Sequence, residues 1–197
     1  AYLTVDLHQV GDTDPYVYRT TNFGDSWTSL SQEIPRSVFS YAHVIREDPV
    51  RPGLLYLGTE NALYVSLDDG GSWSELQNNL PHAPVHDLTI QSDFNDLVVA
   101  TYGRGFWIMD DVTPIQQLTE EVLDSSVHLF EPRPAYRFLN RQSSQSQPED
   151  SGAGRNPDYG ASISFYLEEI PSDPVRLDVH GENGELVRSL PAQNLRT

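Results

Sequence analysis

Short apolar stretches separated by turn-forming residues make up the first 110 residues of the chain. Several of them alternate apolar with polar side chains, as half-buried β-strands do. Turn signals such as Asp48-Pro49, Leu80-Pro81 and Ser92-Asp93 lie between them. The predicted strands lie near residues 1–7, 15–20, 26–31, 39–46, 54–59, 62–67, 73–76, 85–91, 96–101 and 105–109. Many short strands of this kind predict an all-β fold.

The remainder of the chain starts with the one stretch of helical character, residues 115–123. Residues 127–138 are predicted to be extended, and residues 141–155 have the polar composition of a flexible linker or long loop. Three further strands are predicted near residues 161–167, 175–179 and 185–188. Asn183-Gly184 is a hairpin signal between the last two strands. Their period-2 patterning predicts the beginning of a β-sandwich.

An eight-residue motif occurs twice, beginning at Thr20 and again at Ser66, 46 residues further on. Both copies read Ser/Thr-x-Asp/Asn-x-Gly-x-Ser-Trp, and residues 97–112 form a decayed third copy of the unit. The motif positions are Thr20, Asn22, Gly24, Ser26 and Trp27 in the first copy, and Ser66, Asp68, Gly70, Ser72 and Trp73 in the second. A repeat of about 45 residues with four short strands per unit is typical of β-propeller blades.

The motif predicts a tight turn between two antiparallel strands. The Asp or Asn side chain accepts main-chain N–H bonds across the turn, and Gly supplies a backbone conformation with positive φ. The Ser or Thr hydroxyl adds a local hydrogen bond. The indole ring packs into the core, so we expect both Trp27 and Trp73 to be buried. Asp25, Asp68 and Asp69 are accordingly interpreted as turn residues and not as catalytic ones.

Acidic residues outnumber basic ones by 29 to 12, giving a net charge of −17, and all the basic residues are Arg. A chain this acidic repels nucleic acids and anionic membranes, so neither is an expected partner. Two explanations stay open: a high-salt habitat, in which self-repulsion is screened, and a GC-rich genome that favours Arg codons. The chain has no Cys, hence no disulfide or thiolate chemistry, and no apolar stretch long enough to span a bilayer.

Residues 15–21 and 100–111 resemble the blade signatures of large bacterial proteins with BNR (Asp-box) repeats. These proteins are glycosyl-hydrolase-like and have a sortilin (Vps10)-like propeller. Residues 156–161, followed by the strand at 163–167, resemble the entry to the C-terminal fibronectin-like or immunoglobulin-like domain of that group. The resemblance implies an exported protein, extracellular or periplasmic, whose signal lies outside this segment.

The resemblance divides the chain into three parts. Residues 1–114 are expected to be the last two to three Asp-box blades of a partial β-propeller. Residues 115–157 are the expected connector and flexible linker, and residues 158–197 the expected start of a β-sandwich. Propellers close with about four to eight blades, so we expect the remaining blades to come from the same protein or from another chain.

The loops opposite the repeated turns are the expected ligand-binding region, because that face holds the active site in the resembled enzymes. A planar Arg104 guanidinium beside Tyr102 suits a carboxylate or a sugar ring, and a salt bridge to a nearby acid is the structural alternative. His82 and His86 suit a metal or acid–base chemistry, with a satisfied strand-end histidine as the alternative. The candidate ligand-binding residues are Arg104, Tyr102, Glu60, Asn61, Arg36 and His82.

No stretch matches the Arg triad and Tyr–Glu pair of sialidases, or the paired Asp residues of xyloglucan-active enzymes. We therefore expect a ligand-binding or scaffold segment without catalytic residues, cofactor or metal of its own, whose ligand is a carbohydrate or a peptide. Two alternatives stay open. One is an active glycoside hydrolase, sialidase- or xyloglucanase-like, with its catalytic residues upstream, and the other is a sortilin-like peptide-binding propeller.

Overall fold

The computed structural model describes residues 1–135 and 160–191. Within them, short strands form several small antiparallel sheets and no closed barrel, which confirms the predicted all-β class. The strands are β1 (Tyr2–Val5), β2 (Tyr16–Arg19), β3 (Thr28–Ser29), β4 (Ala42–Glu47), β5 (Leu55–Thr59), β6 (Leu63–Ser66), β7 (Ser74–Glu75), β8 (Val85–Gln91), β9 (Asp96–Thr101), β10 (Gly105–Met109), β11 (Val127–Leu129), β12 (Phe165–Leu167), β13 (Arg176–His180) and β14 (Leu186–Pro191). The helices are α1 (Thr113–Gln117), α2 (Glu120–Leu123) and a 3-10 turn at His8–Val10. None of the described helices is long and apolar enough to cross a membrane.

The first ten strands form three sheets in chain order. Sheet A contains β1 to β3, sheet B contains β4 to β7, and sheet C contains β8 to β10, with antiparallel neighbours throughout. Strand β4 packs beside β1 on one side and beside β8 on the other. The three sheets therefore stand side by side, with β1, β4 and β8 at their inner edges.

Sheet B is buried on both of its faces. Strands β5 and β6 are buried along their whole length, although successive side chains point to opposite faces. The face toward sheet A carries Ala42, Ile45, Leu55, Leu57, Ala62, Tyr64 and Trp73, which pack with Val17, Leu30 and Ile34. The face toward sheet C carries Val44, Leu54, Tyr56, Leu63 and Val65, which pack with Val85, Leu88, Leu97, Val99 and Val112. Because both faces are covered, the run Leu54-Leu55-Tyr56-Leu57 is apolar throughout and does not alternate.

The two tryptophans of the repeated motif have different surroundings. Trp73 is 9% exposed, and its Nε1 donates a 2.9 Å hydrogen bond to the main-chain oxygen of Leu30, which ties sheet B to sheet A. Trp27 is 44% exposed, so the prediction that it is buried is wrong. Residues of sheet A cover Trp73, whereas no described residues cover Trp27 in the same way. Sheet C likewise exposes Phe106 and Ile108 on its outer face.

The second copy of the motif forms the predicted turn between β6 and β7. The Asp68 carboxylate accepts hydrogen bonds of 2.8 Å from the Ser72 main-chain N–H, the Ser72 hydroxyl and the Ser66 hydroxyl. The Ser66 hydroxyl in turn accepts the Gly70 main-chain N–H at 2.8 Å. Gly70 has a φ of 85°, a conformation that favours glycine. The acidic side chain is therefore engaged in holding the turn closed.

The first copy forms the same turn between β2 and β3 with an amide in place of the carboxylate. Asn22 Oδ1 accepts 3.0 Å hydrogen bonds from the Ser26 main-chain N–H and from the Thr20 hydroxyl. Asn22 Nδ2 donates a 2.9 Å bond to the Ser26 hydroxyl. The Thr20 hydroxyl accepts the Gly24 N–H at 2.9 Å, and Gly24 has a φ of 96°. The two turns are structural equivalents, as the repeat predicts.

Two polar side chains attach the helical segment after β10 to sheet B. Arg51 Nη1 donates hydrogen bonds to the main-chain oxygens of Ile115 and Leu118, at 3.0 and 2.8 Å. Gln116 Nε2 lies 3.1 Å from both carboxylate oxygens of the buried Asp48. The segment forms two short helices rather than the predicted single one, because Leu118 between them has a ψ of 78°.

The last described strands form two separate two-stranded sheets, where three strands of one sandwich are predicted. Strand β11 pairs with β12, so a strand of the predicted connector pairs with a strand of the predicted sandwich. Strands β13 and β14 form the hairpin predicted around Asn183 and Gly184, and Gly184 has a φ of 80°. The predicted linker at 141–155 and most of the signature at 156–161 lie outside the described residues. The three-part domain division stays a prediction.

The two repeat turns make a matched test of the Asp68 side chain. We expect Asp68→Ala to lower the free energy of unfolding by about 1–2 kcal/mol, because it removes the acceptor of three hydrogen bonds. Asp68→Asn should cost much less, since Asn22 holds the equivalent turn. Urea unfolding of both variants measures the difference, and an equal loss in the two would contradict this account of the turn.

The acid dependence of stability offers a second test at the same residue. Partial burial alone raises the pKa of Asp68, but hydrogen bonds from Ser72 and Ser66 outweigh it and lower the pKa below its usual value. A carboxyl group with a lowered folded-state pKa stabilises the fold above its unfolded-state pKa, and this contribution is lost as pH falls through the folded-state value. From about pH 4 downward, the wild-type chain should therefore lose more stability than Asp68→Asn. Urea midpoints measured across this range check the expectation, and parallel curves would contradict it.

Candidate functional site

Several chemically active side chains meet at one edge of sheets A, B and C. Strands β1, β5 and β9 end at this edge, and the residues that follow them are Asp6, Glu60 and Tyr102. Strands β4 and β8 begin there, since they run antiparallel to β5 and β9. The repeat turns follow the far ends of β2 and β6 and therefore lie at the opposite edge. We define the ring cluster as Asp6, His8, Tyr41, His43, Glu60, His86 and Tyr102.

Two histidines of the cluster occupy equivalent bulges in sheets B and C. The pairing register of β4 with β5 shifts across His43, which leaves this residue as an extra one in β4. The register of β8 with β9 shifts in the same way across His86. A bulge bends its strand and changes the direction in which a side chain points, and bulges are frequent beside functional sites. Both imidazoles thereby reach the same edge from neighbouring sheets.

His43 lies between two carboxylates. Its Nε2 is 2.9 Å from Glu60 Oε2, and its Nδ1 is 3.6 Å from Asp6 Oδ2. Asp6 is held by His8, whose Nδ1 lies 2.6 Å from Asp6 Oδ1 and whose main-chain N–H donates to the same oxygen at 3.0 Å. The side chain of His43 is only 12% exposed, so these interactions are shielded from solvent more than surface ion pairs are.

Five rings form a row along the edge. His8 stacks on Tyr41 with centroids 4.7 Å apart, and Tyr41 meets His43 edge-on at 5.3 Å. His43 lies 4.4 Å from His86, and His86 stacks on Tyr102 at 5.5 Å. The row crosses from sheet A through sheet B to sheet C. It presents ring faces and polar ring atoms side by side, which suits a ligand with both apolar and hydroxyl-bearing surfaces.

The carboxylates and burial change the ionisation of the groups around them. Burial, together with the Glu60 carboxylate, raises the pKa of the Tyr41 phenol to about 12. Partial burial alone raises the pKa of Asp6, but the hydrogen bonds from His8 outweigh it and lower the pKa below its usual value. At neutral pH the edge therefore offers a phenol that donates a hydrogen bond beside a carboxylate that accepts one.

A groove of about 430 Å³ adjoins the cluster and runs along the neighbouring edge strands of sheets A, B and C. Strands β1, β4 and β8 line it, and its wall includes His43 and His86. Arg46 Nη2 donates a 2.9 Å bond to Asp87 Oδ1 and so links β4 to β8 in this wall. A groove of this size holds a ligand of a few sugar rings or a short peptide segment.

The residues predicted from sequence are distributed unevenly about this edge. Glu60 and Tyr102 belong to the ring cluster, and the Asn61 main-chain oxygen lies 3.2 Å from His82 Nδ1 beside it. Arg36 forms an ion pair with Asp14. Arg104 is exposed, and its guanidinium forms no ion pair with the described residues. The ligand-binding role of all six candidates stays a prediction.

Sequence reasoning missed Asp6, His8, Tyr41 and His43 as site residues. A signal for His43 was present, because His43 and His86 each stand one residue into the first strand of neighbouring units. Aligning the units strand by strand, and not by the motif alone, brings out this equivalence. The approach of Asp6 and His8 from sheet A depends on how the sheets pack, and no spacing in the sequence encodes it.

Comparisons with protein-family models, with curated proteins and with solved structures found no match to this chain. The class of the protein therefore rests on its own geometry. That geometry is an all-β chain of small antiparallel sheets, with a cluster of imidazole, phenol and carboxylate groups at one edge.

Gly58 in β5 fixes the distance between sheets B and C beside the cluster. A Cβ at this position would lie 2.6 Å from the main-chain oxygen of Val85 and 2.8 Å from Val44 Cγ1. Since a main-chain oxygen cannot rotate away, we expect Gly58→Ala to push β8 outward and to destabilise the fold by about 1–3 kcal/mol. Urea unfolding measures the loss, and NMR shifts of the His86 ring report the displacement. An unchanged midpoint with unchanged His86 shifts would contradict this role of Gly58.

Proposed function

We propose that this chain is the ligand-binding part of an exported Asp-box propeller protein and that its ligand is a carbohydrate. The row of rings and carboxylates at the edge opposite the repeat turns is the observation that carries the proposal. The activity of the whole protein, including any glycoside hydrolysis, depends on residues outside the ring cluster.

Three features support the propeller class. Sheets A, B and C follow one another with the same antiparallel order and stand side by side around strands β1, β4 and β8. Two equivalent turns close sheets A and B at one edge. The outer faces of sheets A and C expose Trp27, Phe106 and Ile108, which are the side chains that adjoining blades of a ring would cover. Sheets D (β11 and β12) and E (β13 and β14) are the proposed beginning of the fibronectin-like or immunoglobulin-like domain.

The chemistry of the edge favours a carbohydrate over a peptide. Sugars present apolar ring faces, which stack on aromatic rings, and hydroxyl groups, which bond to carboxylates and imidazoles. Tyr102 is 72% exposed at the end of the row and is free to stack on a sugar ring. A peptide-binding channel is expected to present mainly apolar and main-chain groups, whereas this groove carries His43, Arg46, His86 and Asp87.

Oligosaccharide binding tests the proposal directly. We expect the chain to bind members of a glycan array and expect Tyr102→Ala to weaken the best of them about tenfold, the loss of one stacking contact. Phe106→Ala is the matched control, because Phe106 is an equally exposed ring on the outer face of sheet C. Isothermal titration calorimetry of the three proteins measures the affinities.

Other results of this experiment would favour an alternative function or contradict the proposal. Absence of oligosaccharide binding together with capture of peptides from a library would favour the sortilin-like alternative. Turnover of aryl glycosides by this chain would show that it carries catalytic residues of its own and would contradict the proposal. An equal loss of affinity in Tyr102→Ala and Phe106→Ala would show that the ring cluster is not the binding site.

A further inference from the structure

Three side chains of the ring cluster present the donor set of a metal site. The ligand atoms of His43, Glu60 and His86 all lie within 4.8 Å of one another. Two imidazoles and one carboxylate are a combination that binds Zn²⁺ in proteins, with ligand distances near 2.0–2.2 Å. Ligand atoms at these distances from one ion lie at most about 4.4 Å apart, so the three side chains must come slightly closer together, and rotation of the exposed His86 side chain supplies this movement. We propose that His43, Glu60 and His86 bind a divalent transition metal ion, with Zn²⁺ the best fit.

The backbone supplies the ligands from rigid positions. His43 and His86 are the bulged residues of two adjacent strands, and Glu60 is the residue that follows β5. The Glu60 main-chain N–H donates a 3.1 Å hydrogen bond to the main-chain oxygen of Tyr41. This bond fixes the start of the loop after β5 against the residue that precedes β4. Sites built on strands and their ends are held more precisely than sites on long loops.

The surroundings of the two imidazoles match their role as ligands. His43 directs Nε2 toward Glu60, while its other nitrogen faces the Asp6 carboxylate at 3.6 Å. Such a carboxylate–imidazole pair orients a ligating histidine and makes the ligand nitrogen more basic. The ring nitrogens of His86 form no hydrogen bond within the part of the chain that the structure describes, so both remain available. Asp6 is therefore assigned as the positioning residue of this site.

Three protein ligands leave one position of a tetrahedral ion open. In proteins this arrangement binds a water molecule or a ligand oxygen, in contrast to closed structural zinc sites with four protein ligands. The ion would lie between His43 Nε2 and Glu60 Oε2, which are now 2.9 Å apart, and would replace their direct contact. The inference does not rest on carbohydrate binding, because the metal affinity exists whatever the ligand of the groove is.

Zinc titration of the chelator-treated, full 197-residue chain tests the site. Calorimetry with ZnCl₂ alone should give one equivalent bound with a Kd in the micromolar range or tighter. His86→Ala and Glu60→Gln should each weaken binding roughly 100-fold. His180→Ala is the control, because His180 is an exposed histidine of the β13–β14 hairpin, and it should leave the affinity unchanged. Co²⁺ in place of Zn²⁺ should give visible d–d absorption that His86→Ala abolishes.

The positioning role of Asp6 has its own readout. Asp6→Asn should weaken Zn²⁺ binding about tenfold and alter the Co²⁺ spectrum. One equivalent of metal should still bind. Circular dichroism confirms that each variant is folded, and His86 is exposed, so its replacement leaves the core intact. Failure of the wild-type chain to bind Zn²⁺ or Co²⁺ would overturn the proposal. So would binding that His86→Ala and Glu60→Gln leave at wild-type strength.

Discussion

The burial of sheet B on both faces is the constraint on which the rest of the structure depends. Its side chains pack against sheet A on one face and against sheet C on the other, so two apolar clusters hold the three small sheets in one stack. Strands β5 and β6 are buried along their whole length, so sheet B needs a neighbour on each side to keep its apolar side chains away from water. Trp73, through its bond to Leu30, and Gly58, through its close approach to Val85, set the two distances within the stack.

The same packing brings chemistry together at one edge. Once the three sheets stand side by side, the residues after β1, β5 and β9 lie next to one another, and the bulged histidines of β4 and β8 lie between them. Asp6, Glu60 and Tyr102 are equivalent in position but differ in side chain. Each sheet therefore adds a different functional group to the same edge, which is how a repeated fold acquires an irregular site.

Structural and chemical roles are separated between the two edges. At one edge, Asn22 and Asp68 use the same acceptor geometry to close a turn, and the carboxylate there is occupied by its own loop. At the other edge, Asp6 and Glu60 face imidazole rings across a sheet boundary. An acidic residue in this chain is consequently informative about function only after its position in the sheet is known.

The sequence by itself determined the all-β class, the strand positions to within a few residues, the two equivalent turns and the Asn183-Gly184 hairpin. These features are local, because they follow from hydrophobic period, turn-forming residues and short-range hydrogen bonds. Only the tertiary structure decided the exposure of Trp27 and the pairing of β11 with β12. It also decided that Asp6, His43, Glu60 and His86 meet at one edge. All three features depend on which sheet faces which and on one-residue bulges, and contacts between residues far apart in the chain leave no periodic signal in the sequence.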